Sequence, residues 1–297
     1  MKEPKSIFIS IVGRPNVGKS SLMNYMCGKK ISIVTDKPQT TRTRIMGVLT
    51  KGETQLVFLD TPGLHKPRTN LGEHMVKAVS EGMSGVDCCI LVAYAGSGVS
   101  PAELEIIERL KERHIKAYLA LNKIDLIENK EELLGRIAEY STLFNFEAVL
   151  PISALTGDGV DILLNYMLKE AKPGPHYFPD DALTDQPERV MAAEIIREKM
   201  LLLLDKEIPH GIAVCTERFS ERESGNIIDI EANIYCEKES HKRIIIGKGG
   251  SMLKRIGTMA RGDMEGFFGC RINLQLWVKV KENWRNREGL IRSFGFE

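Results

Sequence analysis

The 297 residues carry 41 basic and 40 acidic side chains, a formal net charge of +1, so any nucleic-acid surface must be a local patch and not the whole molecule. Six cysteines, Cys27, Cys88, Cys89, Cys215, Cys236 and Cys270, form no C-x-x-C pair and read as reduced thiols, not as disulfides or zinc ligands. No stretch approaches the ~18 apolar residues of a membrane span, and a length of this kind allows two domains with separate cores.

Met1-Lys2-Glu3-Pro4-Lys5 leads straight into an apolar strand, so no signal peptide is expected. The β-branched run Ile9, Ile11, Val12 stops at Gly13-Arg14-Pro15-Asn16-Val17-Gly18-Lys19-Ser20, the pattern G-x-x-x-x-G-K-[ST]. The glycines let backbone N–H groups close on a phosphate. A helix predicted over Ser21–Met26 adds its positive end. Lys19 is assigned to the β- and γ-phosphates and the Ser20 hydroxyl to Mg²⁺. This stretch reads as a nucleotide site.

Asp36 to Arg44 is polar and aperiodic; between the phosphate loop and the next carboxylate it reads as a switch loop. Thr41, with Thr40 beside it, is the candidate to complete the Mg²⁺ shell when a γ-phosphate is present. Arg42 and Arg44 read as solvated charges. The apolar strand Gln55–Leu59 delivers Asp60-Thr61-Pro62-Gly63, placing Asp60 where open α/β sheets bind ligands, with Gly63 N–H facing the γ-phosphate.

Cys88–Ala93 is a buried strand, Pro101–Arg113 an amphipathic helix, and Ala117–Leu121 a strand that delivers Asn122-Lys123-Ile124-Asp125. An Asp125 carboxylate can take two hydrogen bonds from guanine, where adenine would leave it unpaired. Asn122 and Lys123 tie this loop to the phosphate loop and cover the base. Strand Ala148–Pro151 leads to Ser153-Ala154-Leu155, where Ala154 N–H is expected on guanine O6.

GRPNVGKS, QTTRT, DTPGLH, NKID and SAL resemble the five guanine-nucleotide motifs of the Era family of translation-factor-type GTPases, over roughly residues 6 to 170. The resemblance implies an α/β P-loop GTPase domain, a mostly parallel sheet with helices on both faces. Two features bear on the chemistry. Leu64 stands where Ras-like proteins place a water-positioning glutamine, so intrinsic hydrolysis should be slow unless other groups hold the water. Asn16 corresponds to an asparagine that related GTPases associate with K⁺, which makes K⁺ stimulation an expectation. Lys19, Thr41 and Asn16 are therefore the catalytic candidates. Ser20, Thr41 and Asp60 are the metal set.

A helix predicted to run roughly Asp161–Lys172 meets Pro173-Gly174-Pro175-His176-Tyr177-Phe178-Pro179, and Pro187 follows. Prolines at this density mark a connector, giving domains 1–172 and 189–297 with a linker at 173–188. Val190–Ile208 reads as one long helix ending before Pro209; Gly211–Phe219 and Ile227–Cys236 read as strands around a polar hairpin. Arg271–Val280 is the last strand. In it Trp277 reads as sheet packing in preference to a base-stacking platform.

Between them lies His241 to Gly250. By propensity Ile244–Ile246 is a strand, but Gly247-Lys248-Gly249-Gly250 resembles the G-x-x-G loop of KH domains, which joins two helices and clamps about four nucleotides. That resemblance implies an α+β type II KH domain, ordered helix–strand–strand–helix–helix–strand, with a C-terminal helix in the tail. From Ser240 to Arg292 twelve basic residues face four acidic ones, a positive field suited to RNA phosphates. Lys254 and Arg255, just past the loop, join Gly247–Gly250 as the candidate RNA-contacting set.

The family resemblance further implies GTP/GDP and 16S rRNA near its 3′ end as partners. It also implies a role in assembly and maturation of the 30S ribosomal subunit, in bacterial cytoplasm with peripheral association at the inner face of the cell membrane. No coiled-coil seam appears, and a monomer is expected. The alternatives are a GTPase switch acting on a protein or membrane effector, with the C-terminal domain as docking adaptor, and a tRNA-modifying GTPase. The latter demands a catalytic cysteine near the C-terminus, yet Cys270 lies in a strand-edge context.

Overall fold

The computed structural model describes residues 3–37, 40–64, 67, 69–223 and 225–296. Pro38 and Gln39 of the switch loop and His65 after Leu64 lie outside the described residues. Two compact units result: Met1–Pro67 with Met75–Asp185, and Arg68–His74 with Gln186–Glu297. The division falls inside the proline-rich connector.

The first unit is a seven-stranded sheet. Strands β1 (Lys5–Val12), β2 (Ile45–Lys51), β3 (Thr54–Asp60), β4 (Cys88–Tyr94), β5 (Ala117–Asn122) and β6 (Ala148–Pro151) lie in the order β2-β3-β1-β4-β5-β6. All neighbouring pairs are parallel except β2–β3, and the short β7 (Lys172–Pro173) runs antiparallel to β1. Side chains alternate between two buried faces, as a sheet covered on both sides requires. In β4, Cys88, Ile90 and Val92 pack with Leu22 and Met23 of α1 (Lys19–Cys27) and Leu163 and Met167 of α5 (Val160–Glu170). Cys89, Leu91 and Ala93 pack instead with Val79 of α2 (Asn70–Gly82), Ile106 and Leu110 of α3 (Pro101–Glu112) and Tyr140 of α4 (Lys130–Leu143). The parallel strands thus carry their loops at one edge, where ligands bind in such sheets.

Several expected boundaries move. Helix α1 starts at Lys19, two residues before the expected Ser21, because Gly18 supplies the left-handed turn (φ 101°) that opens it. Helix α5 stops at Glu170, since Lys172 and Pro173 join the sheet. The connector is no free tether: Gln55 accepts the N–H groups of Tyr177 and Phe178 and donates to the Phe178 carbonyl. Tyr177 packs edge-on against Phe8 at 4.9 Å, and Leu183 accepts from Val48 N–H.

The second unit has α6 (Glu188–Leu203), β8 (Ala213–Glu221), β9 (Ile227–Cys236), α7 (Glu239–Ile246), α8 (Ser251–Phe268), β10 (Arg271–Val280) and α9 (Glu288–Ser293). Its sheet order is β10-β9-β8, with β9–β10 parallel and β8–β9 antiparallel. Ile196 and Met200, Ile230 and Ile234, Ile245, and Ile256 with Met264 form its core, contributed by helices on one side and strands on the other. Helix α6 ends five residues before the expected Ile208, Leu204 being already extended. Ile244–Ile246 closes a helix, not a strand: Ile245 is fully buried in the helical layer and outweighs β-branched propensity. Trp277 is 42% exposed, correcting its expected packing. The Ile272, Leu274 and Leu276 face of β10 packs on the core, and the opposite face is open.

Candidate functional site: a phosphate cradle and a glycine clamp

The loop Gly13–Ser20 joins β1 to α1 as the spacing demands. A Cβ on Gly13 would overlap the Val92 carbonyl oxygen, and one on Gly18 the Asn122 amide, so neither position tolerates a side chain. The loop borders a cavity of about 480 Å³ that Asn16, Gly18, Lys19, Ser20, Ser21, Thr41, Gly63 and Lys123 help to line. Pro15 lines it too, and a Cβ on Gly63 would strike Pro15 backbone, so the third strand's loop is seated directly on the phosphate loop.

Lys19 is 6% exposed, its Nζ donating to the carbonyls of Gly13 (3.2 Å) and Arg14 (3.0 Å). Burial lowers its pKa to about 8, against the opposing pull of Asp60. Asp60 is fully buried, and burial raises its pKa despite Lys19 and three hydroxyls. Those hydroxyls converge on one oxygen, Oδ2: Ser20 Oγ at 2.6 Å, Ser32 Oγ at 3.0 Å and Thr41 Oγ1 at 3.4 Å. Ser20 and Thr41 also touch each other at 3.0 Å. Among the described residues Asp60 Oδ1 is buried with no hydrogen-bond partner. A buried carboxylate with an orphaned oxygen beside two hydroxyls is a hard-oxygen donor set, and it fits Mg²⁺. Between the two switch threonines, Thr41 joins this set, whereas Thr40 bonds Thr35 and the Lys37 carbonyl. Ser32 belongs to no motif; only the fold brings it across 28 residues to Asp60.

The guanine-type loops meet behind the cradle. Asn122 donates through Nδ2 to the Val17 carbonyl (2.7 Å) and accepts Ala154 N–H on Oδ1 (2.8 Å). The Ala154 N–H expected on a guanine O6 is thus engaged by Asn122: with Nδ2 spent on Val17, the amide's one acceptor points back at this loop. Ser153 Oγ holds Asp125 Oδ1 at 2.6 Å and fixes that carboxylate at the rim. Asp125 is exposed, not buried. The Lys123 ammonium stands 5.7 Å over the Tyr94 ring. Thr61 Oγ1 donates to the Ile11 carbonyl, bracing Thr61-Pro62 against β1.

Other members of the expected set also turn their side chains from the cavity, as Thr61 and Asn122 do. Val17 and Leu64 lie in the two cores, and Arg14 pairs with Glu103 at 3.3 Å. Leu64, 3% exposed, cannot reach a water at the phosphates. Asn16, at φ 63°, donates through Nδ2 to the Asp36 carbonyl at 2.6 Å and so braces the switch loop. Arg42, read as solvated, is 4% exposed; its side chain turns inward, while Arg44 is exposed as expected.

In the second unit, Gly247–Gly250 joins α7 to α8. Gly247, Gly249 and Gly250 all have φ between 59° and 80°, and a Cβ on Gly247 would overlap Met252 backbone. Glycine is required here for both the turn and the tight helix junction. Lys248, Lys254 and Arg255 are exposed beside it. The arrangement offers backbone and cations to a chain of phosphates, not a pocket to a small molecule.

Residues 8–123 match the family model described as 50S ribosome-binding GTPase, and residues 207–285 match that of the KH domain. GTPase Era of Clostridioides difficile (strain 630) is 52% identical over 292 residues, covering 98% of each chain. That of Ruminiclostridium cellulolyticum is 50% identical over 293 residues, 99% of this chain and 98% of that one. Among solved structures, Era in complex with MgGDPNP and nucleotides 1506–1542 of 16S ribosomal RNA matches with TM-score 0.94, at 38% identity over 99% of both chains. A point variant of Aquifex aeolicus Era bound to GDP·AlF4⁻ matches with TM-score 0.94 and 38% identity, over 98% of this chain and 99% of that one. With half its residues identical along nearly the whole length, this chain belongs to the GTPase Era family.

Proposed function

We propose that this GTPase hydrolyses GTP with Mg²⁺ at the Asp60 cradle and binds 16S rRNA near its 3′ end through the Gly247–Gly250 loop, assisting maturation of the small ribosomal subunit. The observation that carries the first half is the buried Asp60 carboxylate, with one oxygen gripped by three hydroxyls and the other unpartnered among the described residues. The second half is supported by the exposed cationic loop and by the relative whose complex contains nucleotides 1506–1542 of that RNA.

Catalysis is positioning and charge neutralisation. Loop N–H groups between Gly13 and Ser20 hold the phosphates. Lys19 leaves the Gly13 and Arg14 carbonyls for β- and γ-phosphate oxygens, its charge strengthened by the low-dielectric site. Ser20, Thr41 and Asp60 would hold Mg²⁺, which when bound neutralises charge on the phosphate oxygens. Asp125 selects guanine while Asn122 locks the base loop to the phosphate loop. Since Leu64 is core, the attacking water is oriented by groups other than the side chain after Gly63. Asn16 supports K⁺ stimulation: its Nδ2 is spent on Asp36, which leaves the amide oxygen as the atom to ligate a cation. Equal turnover in K⁺ and Na⁺ would overturn that assignment.

The switch that senses the γ-phosphate and the RNA loop sit on one chain, and if the GTP and GDP forms of the switch pack differently against the RNA-binding unit, their affinities are linked reciprocally. The test is binding of a labelled RNA spanning nucleotides 1506–1542 to the protein loaded with a GTP analogue or with GDP. Tighter binding in one state is expected. No binding to this RNA in either state, or capture of a protein partner in its place, overturns the RNA reading.

A further inference from the structure

Glu103 carries a charge that its obvious role does not need. It is the third residue of α3 and completes a capping box: Ser100 Oγ accepts Glu103 N–H, and Glu103 Oε2 accepts Ser100 N–H at 2.7 Å. A glutamine would cap as well. Yet Glu103 is fully buried, where an uncompensated carboxylate is costly, and its other oxygen, Oε1, is not part of the cap. That oxygen lies 3.3 Å from Arg14 Nε; both atoms are buried and neither makes a hydrogen bond among the described residues, so the contact is one of charge.

Arg14 belongs to the phosphate loop. Its guanidinium is held from a second side by Ser97, which accepts Nη2 at 2.8 Å. Its main-chain carbonyl is one of the two that carry the Lys19 ammonium. A single residue is thus gripped by its side chain on the back of the loop and by its backbone on the front.

We propose that Glu103 is a positioning residue for GTP hydrolysis, holding Arg14 so that the loop backbone from Gly13 to Lys19 keeps its shape around the phosphates. Without the Glu103 charge, the Arg14 guanidinium keeps only the neutral Ser97 hydroxyl as partner beside an anion site; paired, it is kept off the phosphates. The helix start of α3 thereby sets the geometry of the loop that carries Lys19. This inference rests on the nucleotide reading of the first unit.

The test uses the full chain with E103Q, R14Q and the double variant E103Q/R14Q. E103Q keeps the cap and loses only the charge. Release of a fluorescent GDP and the kcat and KM for GTP are read for each, alongside Tm. Each single variant is expected to release GDP about tenfold faster and to lower kcat more than it raises KM, with the double no worse than either single, since the pair acts as one unit. Wild-type release by E103Q, multiplicative effects in the double, or a fall in Tm with unchanged nucleotide kinetics overturns the proposal. Failure of the unmodified chain to bind GTP would instead overturn the nucleotide reading itself.

Discussion

The molecule has two glycine-rich loops, and they are built in opposite ways. At Gly13–Ser20 the cation is internal: Lys19 is 6% exposed, desolvated, and held on backbone carbonyls. At Gly247–Gly250 the cations Lys248, Lys254 and Arg255 stand in solvent. The first design costs desolvation and returns strength and selectivity, because charges in a dry site act at low dielectric. The second suits reach along a polymer, because binding by exposed cations draws on counterion release and weakens as ionic strength rises. One chain thus separates a small ligand that must be read closely from a long one that must be held.

The sharpest way to break this contrast is Asp60→Asn. It keeps the size of the side chain and the hydroxyl contacts but removes the only charge in the metal set. GTP turnover is expected to fall about 10³-fold, the scale of losing a preorganised electrostatic partner, and the residual rate should no longer respond to Mg²⁺. Tm without Mg²⁺ should not fall, because burial disfavours the Asp60 charge in the fold. Turnover within a few-fold of wild type would show that the cradle is not the metal site.

A smaller effect is expected from Lys248→Glu with Lys254→Glu. Both side chains are exposed, so RNA affinity should drop by roughly ten- to a hundredfold at 0.1 M salt, and the slope of log K against log salt should flatten by about one per lost phosphate contact. GTP hydrolysis without RNA should stay at the wild-type rate. An unchanged salt slope would mean that these residues form only a solvated face.

How much of this is legible in the sequence depends on the range of the interaction. The phosphate loop, Asp60 and the Asn122–Asp125 loop are readable because each depends on a local spacing at a strand end, and Ile227–Cys236 and Arg271–Val280 emerge with their expected bounds from alternation alone. Ser32 and Glu103 are not readable. Their partners lie 28 and 89 positions away, and nothing local distinguishes a serine or a capping glutamate that will meet them. The Ile244–Ile246 triplet misleads for the converse reason: three β-branched residues prefer a strand locally, and burial of Ile245 against α8 decides otherwise. The connector misleads too. Its prolines rule out a helix, but they do not reveal that Gln55 will hold Tyr177 and Phe178 on the sheet.

The smallest expected effect is that of Trp277→Ala read against Trp284→Ala, and it tests whether alternation alone says which face of a strand is core. Trp284 is fully buried, donates Nε1–H to the Gly211 carbonyl at 2.9 Å and packs on Phe294 and Phe296. Trp284→Ala should cost about 3–5 kcal/mol by urea unfolding of the second unit. Trp277 occupies an equally regular position in β10, but on the open face of a three-stranded sheet and 42% exposed. Truncating it removes little buried area and leaves no cavity, so Trp277→Ala should change stability by less than about 1 kcal/mol. A cost near that of Trp284 would mean that the open face of β10 is covered in solution, and that its alternation had marked a second core after all.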